Sequence, residues 1–346
     1  MRKRDVFMKE AMLYKKDAFE KVNCFLCAHR CSGIKDGGKG VCGVRQNIKG
    51  TLYSLVYGKV IAAHVDPIEK KPFYNYLPGS YAYSIATVGC NFRCKNCQNS
   101  DISQAPREGR GITGTDIEPE TIIELAKKSE CKSIAYTYTE PTIFFEYAYD
   151  VSKLAKKGGL SNLFVSNGYM TGEMLDTYHP LLNAANVDLK TFRDETYKDL
   201  CGASLQPVLD SLKKMKKLGI WVEITTLLIP GINDSKEEIK DIAEYISTEL
   251  GKETPWHISR FHPDYKLMDT LPTAPKAVQE ARETGIAAGL KYVYAGNLPG
   301  DSGENTYCPK CGELLVNRES YNILKNKIIK DACPKCKTKI DGIWST

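Results

Sequence analysis

Seven short apolar runs of β character lie between Tyr81 and Gly296, at 83–88, 133–138, 162–166, 185–189, 222–228, 257–261 and 292–295. Six stretches with apolar residues at three- and four-residue spacing separate them, at 120–128, 142–157, 172–179, 205–218, 235–250 and 275–288. Strand and helix periods alternating at this rhythm imply βαβ units and a parallel sheet, so the expected class is α/β. Six or seven such units could close partly or wholly into a barrel, in which chemistry sits at the C-terminal ends of the strands.

The second constraint is 13 cysteines in 346 residues. A secreted disulfide scaffold packs such a number into a short chain, and here the count is odd and the residues are clustered. Cys24, Cys27, Cys31 and Cys42 form an N-terminal group, Cys90, Cys94 and Cys97 a central one, and Cys308, Cys311, Cys333 and Cys336 a third. Metal or iron–sulfur ligation in a reducing cytoplasm fits this pattern better than disulfides. Cys131 and Cys201 stand alone and read as small buried hydrophobes. With 42% hydrophobic and 26% charged residues the chain can bury a core, and a net charge of +6 is too small by itself to argue for nucleic acid.

The basic start Met1-Arg-Lys-Arg-Asp5 has no apolar run behind it. The longest membrane-span candidate, 220–229, is broken by Glu223 and followed by Pro230-Gly231. A soluble cytoplasmic protein with no membrane partner is expected. Three domains are expected: 1–80, a Cys-rich segment with a β-hairpin at 51–65; 81–297, the barrel; and 304–346, a four-cysteine module behind a linker-like 298–303.

The central triple, Cys90-Asn-Phe-Arg-Cys94-Lys-Asn-Cys97, follows the first barrel strand. Cubane clusters normally take four thiolates. Three thiolates leave one iron open, and an open position separates a catalytic metal from a structural one.

On this triple, and on Tyr-Gly-Lys-Val-Ile-Ala (57–62), Asp-Pro-Ile-Glu-Lys-Lys-Pro (66–72), Tyr-Thr-Glu-Pro-Thr (138–142), Ser-Asn-Gly (166–168), Asp-Leu-Lys (188–190) and Arg-Phe-His-Pro-Asp-Tyr (260–265), the chain resembles the radical S-adenosylmethionine (radical SAM) superfamily. Within it, the chain is similar to pyruvate formate-lyase activating enzymes and looks like the radical SAM enzymes of the AmmeMemoRadiSam system. The resemblance implies a partial (β/α)6 TIM-like barrel and an oxidoreductase with one 4Fe-4S cluster on Cys90, Cys94 and Cys97, under anaerobic conditions. S-Adenosyl-L-methionine would chelate the open iron and be cleaved reductively to a 5′-deoxyadenosyl radical, which takes hydrogen from a protein or small-molecule substrate. A reduced flavodoxin or ferredoxin-type donor is implied with it.

The resemblance also assigns the SAM pocket. Glu140 would receive the methionyl ammonium, with Thr139 where relatives carry glycine; a carboxylate complementing a helix start is the plainer reading. Ser166 and Asn167 match a Thr-Asn-Gly motif, although Val165 replaces the Asp that relatives tie to a cation. Asp188 would bond the ribose or sulfonium region and Lys190 the SAM carboxylate; alternation places both on one side of a strand, where an interior ion pair is the alternative. His257, in Pro-Trp-His, and His262 are candidates for nucleoside contact. Asn96 stands where relatives have an aromatic residue against adenine, and Gln98 follows the third cysteine.

For the N-terminal four cysteines, in a segment with Gly33, Gly37, Gly38 and Gly40, an auxiliary 4Fe-4S cluster and zinc both remain open. The tail's two Cys-Pro-Lys-Cys knuckles resemble a zinc ribbon or rubredoxin fold, with zinc or one iron as the metal. Residues 308–340 hold eight Lys and Arg against three Asp and Glu. That keeps open an RNA-modifying enzyme whose basic ribbon grips phosphates. A non-catalytic iron–sulfur electron carrier is the third reading.

Overall fold

A computed structural model describes residues 8–345. Its centre is an eight-stranded sheet. The strands are β1 (Ala62–Pro67), β2 (Tyr81–Ala86), β3 (Ser133–Tyr136), β4 (Ser161–Ser166), β5 (Ala184–Asp188), β6 (Trp221–Leu228), β7 (Trp256–Arg260) and β8 (Val293–Gly296). They lie in simple sequence order; β2 to β8 run parallel, and β1 pairs antiparallel with β2, from Ala62 opposite Ala86 to Pro67 opposite Tyr81. Helices α1 (Pro119–Lys128), α2 (Phe145–Lys157), α3 (Gly172–Tyr178), α4 (Gln206–Lys217), α5 (Lys236–Tyr245) and α6 (Pro275–Ala287) fill the crossovers. The sheet curls without closing, with β1 and β8 as its edges, so six βα units and one further parallel strand make a partial barrel.

Local chemistry explains the element boundaries. α1 and α6 begin with proline in the first turn, where the missing N–H is not needed. Thr171 caps α3 by accepting Met174 N–H, and Ser235 caps α5 by accepting Glu238 N–H. Five of the six residues of β2 are buried, as expected of a strand covered on both faces. All seven strands and six helices read from the sequence form. Their ends move by at most two residues once the 3-10 turn Pro141–Phe144 and the π-turn Ile246–Leu250 are counted with the helices they extend.

The hairpin expected at 51–65 is corrected. Thr51–Ser54 pairs with Arg45–Ile48 and Lys9–Glu10, Lys59–Val60 pairs with Thr115–Asp116, and the last strand is β1 of the barrel sheet. Alternation gives a strand a buried face but does not choose its partner.

The idea of a linker that holds the tail apart is corrected too. Strands β9 (Thr306–Tyr307), β10 (Leu314–Glu319) and β11 (Asn322–Asn326) form a small antiparallel sheet whose core is shared with the barrel: Leu315, Val316 and Ile340 pack with Tyr74, Tyr292 and Tyr294. Arg318, fully buried, donates to the carbonyl of Tyr74 at 2.8 Å and lies 4.2 Å over its ring. Tyr74 and Asn75 in turn donate their N–H groups to Glu223 of β6, and Asn186 of β5 reaches the Pro72 carbonyl. Residues 72–75 thus line the inner wall near the N-terminal ends of β6 to β8, and the tail closes over them. Among the described residues no helix is long and apolar enough to cross a membrane. The start Met1–Asp5 lies outside the described residues.

Candidate active site

Cys90, Cys94 and Cys97 sit in the loop that leaves β2 at its C-terminal end. Cys94 is buried and the other two are partly so. The loop is pinned from several sides. Phe92 N–H lies 3.3 Å from Cys90 Sγ, and Ser103 Oγ lies 3.1 Å from Cys97 Sγ. Arg93 N–H and Lys95 N–H donate to the carbonyls of Cys201 and Leu200, at the end of the helix Asp194–Cys201. Lys266 N–H, in the loop after β7, donates to the Lys95 carbonyl. Arg107 donates to the carbonyls of Cys90 at 2.9 Å and Phe92 at 2.6 Å.

Against this loop stands a network from the ends of β3 and β4. Glu140 Oε1 accepts from Thr142 N–H (3.0 Å), Thr142 Oγ1 (2.5 Å) and Ser166 Oγ (2.8 Å), and Oε2 accepts from Asn167 N–H at 2.9 Å. Burial raises the Glu140 pKa despite those donors. Burial also pushes the Cys90 thiol well above its usual range, and the neighbouring Glu140 acts in the same direction. Asn167 donates to Asn91 Oδ1 at 2.7 Å, and its Nδ2 lies 3.9 Å from Cys90 Sγ. Gly168 has φ +69°, and a Cβ there would meet Val187 Cγ1 at 2.7 Å, so only glycine fits this turn. Thr139 is tied to the Thr87 carbonyl.

At the end of β5, Lys190 Nζ contacts Asp188 Oδ2 at 2.6 Å. Burial opposes the charge on Lys190, but Asp188 and the Cys94 sulfur outweigh it and hold the ammonium charged. The two residues share one side, as alternation requires, and form an ion pair. The Cys94 pKa is held below its usual range, first by the hydrogen bond with Cys201. Cys201 is therefore more than a remote buried hydrophobe: it touches the thiol loop.

The structure brings Cys90, Cys94, Cys97, Asn96, Glu140, Ser166, Asn167, Asp188 and Lys190 to the same end of the sheet. Gln98 is exposed, and His262 is exposed on the loop that reaches Lys95 through Lys266. His257 is placed differently. It is buried on the inner wall with Nε2 2.6 Å from Glu223 Oε2, enclosed by the rings of Tyr74 and Tyr294 at 4.8 and 5.0 Å. That ring nitrogen is thus taken by the wall and not left facing the thiol loop. Arg107 and His29, whose Nε2 is 2.8 Å from the Asn91 carbonyl, were missed, because neither carries a motif in the sequence.

The donor set fits a site-differentiated cluster and its ligand. Three thiols share the loop at the mouth of the barrel, and two polar atoms of that loop, Asn91 Nδ2 and Asn96 Oδ1, are buried without a partner among the described residues. Residues 84–246 match the Radical SAM superfamily profile. An uncharacterized protein of Methanocaldococcus jannaschii is 46% identical over 336 residues, 96% of this chain and 99% of that protein. This chain belongs to the radical SAM superfamily. A putative glycyl-radical enzyme activating enzyme of M. jannaschii is 29% identical over 168 residues, 47% of this radical SAM chain and 62% of that one. The pyruvate formate-lyase-activating enzyme of Clostridium pasteurianum is 25% identical over 196 residues, 52% of this chain and 80% of that one. In fold the radical SAM chain is similar to Streptococcus suis SuiB, solved with its precursor peptide SuiA: TM-score 0.50, 10% identity, 67% of this chain and 52% of that one. Membership in the radical SAM superfamily implies SAM and a 4Fe-4S cluster, and with activating-enzyme relatives it supports SAM cleavage to generate a radical.

A second thiol centre lies in the tail. The Sγ atoms of Cys308, Cys311, Cys333 and Cys336 all fall within 4.8 Å of one another, with Cys308 to Cys336 at 3.5 Å and Cys311 to Cys333 at 3.8 Å. Four thiols at that spacing could hold a metal ion.

Proposed function

We propose that the chain is a glycyl-radical-activating type of radical SAM enzyme, with Cys90, Cys94 and Cys97 as the cluster ligands and a protein as the substrate that yields hydrogen. The observation that carries this reading is the contact of the Glu140–Ser166–Asn167 network with Cys90, which sets the ends of three consecutive strands around one thiol loop. An iron–sulfur cluster held there would supply the single electron that cleaves the sulfonium of SAM.

The protein residues position and shield. Asn167, fixed by Glu140 from below and by Asn91 from the side, presents its amide beside Cys90. Glu140 has one oxygen saturated and one with a single donor, so its first task is to hold Ser166 and Asn167; the free side of Oε2 is where a methionyl ammonium would be received. Lys190, charged and half-shared with Asp188, suits a carboxylate, and Asp188 suits ribose hydroxyls. The unpartnered Asn96 Oδ1 lacks a donor of the kind that the exocyclic amine of adenine offers; Thr139, tied to the Thr87 carbonyl, and the exposed Gln98 are further candidates. His262 is kept as a candidate at the rim. For the tail quartet we propose one tetrahedral metal ion, zinc in our reading; metal–sulfur bonds of ~2.3 Å put sulfurs ~3.8 Å apart, a spacing that a single iron shares.

The experiment is anaerobic reconstitution with iron and sulfide, followed by SAM and dithionite. Formation of 5′-deoxyadenosine and methionine is expected. A fully loaded protein that leaves SAM intact would overturn the reading.

A further inference from the structure

The N-terminal four cysteines are not absorbed by the site above, yet they lie against it. Gly89, the residue before Cys90, is packed so closely that a Cβ there would meet the Cys42 carbonyl at 3.4 Å and Val44 Cγ1 at 2.6 Å. Arg107 uses one guanidinium for both loops: Nη2 donates to the Val41 carbonyl at 2.7 Å and to the Cys90 carbonyl at 2.9 Å. His29, two residues after Cys27, meets the Asn91 carbonyl at 2.8 Å. Cys27 also bridges to Met170, just beyond the Asn167–Gly168 turn.

The four thiols form a built site. Cys24 and Cys42 are buried. At Gly40, a methyl group would stand 3.6 Å from Cys31 Sγ and 3.9 Å from Cys42 Sγ, filling the space between them. Val41 N–H points at Cys31 Sγ at 3.4 Å. Arg45, fully buried, gives Nη1 and Nη2 to Glu146 and Nη2 to the Met12 carbonyl, while its Nε–H is buried without a partner among the described residues. Cys24 and Cys42 are charge neighbours of that same guanidinium. Arg45 and Glu146 pair with each other, and the spare Nε–H is a donor for a cluster sulfur. Among the described residues only the tail quartet draws three or more ligand atoms within 4.8 Å of one another. A cubane, whose bridging sulfides accept hydrogen bonds, uses the spare Arg45 Nε–H beside these four thiols, which a single zinc with its four thiolates does not require.

We propose that Cys24, Cys27, Cys31 and Cys42 bind an auxiliary 4Fe-4S cluster that passes electrons to the Cys90–Cys94–Cys97 centre across the Arg107 bridge. The relay rests on the radical SAM reading of that centre. The step is one electron: the auxiliary cluster goes from the 1+ to the 2+ state as the catalytic cluster goes from 2+ to 1+, and no proton moves. A low-potential one-electron carrier, a reduced flavodoxin or ferredoxin, restores the auxiliary cluster. Electron transfer weakens steeply with distance, and two ligand loops joined by shared hydrogen bonds give a short path.

Two measurements on the full chain test this. In the first, Cys90, Cys94 and Cys97 are all replaced by Ala, and the reconstituted protein is analysed for iron, sulfide and zinc and by low-temperature electron paramagnetic resonance after reduction. Roughly four irons and four sulfides should remain with a reduced-cubane signal. One zinc per chain is expected besides, on the tail quartet; a second zinc, or no residual iron, overturns the proposal. In the second, Cys24→Ala with Cys42→Ala is compared with the parent for SAM cleavage driven by dithionite and by reduced flavodoxin. The dithionite rate should persist while the flavodoxin rate falls by at least an order of magnitude; equal losses or no loss overturns the relay. Cys31→Ser, at a partly exposed thiol, serves if the double variant does not fold. A parent that cleaves no SAM with dithionite would overturn the proposed function and the relay together, while the iron and spectrum of the first variant still decide the cluster.

Discussion

Glu140 Oε2 accepts the backbone N–H of Asn167 at 2.9 Å, so one buried carboxylate on β3's exit fixes the amide that β4 presents to Cys90. Glu140→Gln keeps the shape but sets an amide N–H2 against either Asn167 N–H or the Thr142 and Ser166 donors. An unmet buried donor costs about 1–3 kcal/mol. The melting temperature should therefore fall. SAM affinity by calorimetry should fall by about tenfold or more, since ~1.4 kcal/mol is tenfold, through both the lost charge and the loosened Asn167. Iron content should be unchanged. Unaltered stability and affinity would remove Glu140 from the site.

Cys94→Ala removes one of the three thiols of the loop, the buried one. Far-ultraviolet circular dichroism should stay as in the parent, because the loop lies beyond the end of β2. The site-differentiated cluster and dithionite-driven SAM cleavage should both be lost. Full cleavage by this variant would refute the ligand assignment.

Glu69 is buried, with its Oε1 4.0 Å from Arg318 Nε, and burial pushes its pKa up to about 7 even though Arg318 pulls it down. Its folded pKa is raised, so between about 4.5 and 7 the folded state holds a proton that the unfolded state has lost, and stability declines as pH rises through that window. The rise from 4.5 to about 7 corresponds to ~3.4 kcal/mol at most. Glu69→Gln should remove this slope. The difference in unfolding free energy between variant and parent, followed by urea titration from pH 4 to 8, should move in the variant's favour as pH rises. A constant difference would show that Glu69 does not titrate there.

Cys333→Ser, or stripping the tail metal, should affect more than the tail. Arg318 binds Tyr74, and Tyr74 and Asn75 hold Glu223 of the barrel. Calorimetry should show a lower melting temperature in one cooperative transition. A separate early transition with the main one unmoved would show that the tail folds independently.

The barrel was legible because parallel strands and their helices carry two distinct periods, and each run, from 83–88 to 292–295, fell within two residues of its strand at either end. The thiol loop was legible because ligand spacing is local. What failed was non-local. The 51–65 alternation was true of each strand, but its partners lay at Arg45–Ile48, Thr115–Asp116 and Tyr81–Ala86. The composition of 298–303 looked like a linker, yet Asp301 ties to Gln279 of α6 and the next residues turn back onto β8. His257 sat in a suggestive tripeptide, but Glu223, 34 residues earlier, takes its Nε2. Arg107 had no motif because its job is to reach three carbonyls, a role that depends only on where the backbone passes.

The tail's contribution to the barrel floor also orders events during synthesis. Ile343 exchanges backbone hydrogen bonds with Asn75 and Leu77, and Arg318 and Ile340 complete the packing around Tyr74, Tyr292 and Tyr294. Every strand of the main sheet leaves the ribosome before these residues do. Until they emerge, three tyrosines and the Glu223 anchor have no cover, and a nascent chain at that stage presents an apolar face to the cell's quality-control machinery. A metal held by the last four cysteines, as proposed, would seal the whole molecule, so its scarcity would be felt as poor yield of folded protein before it was felt as slow catalysis.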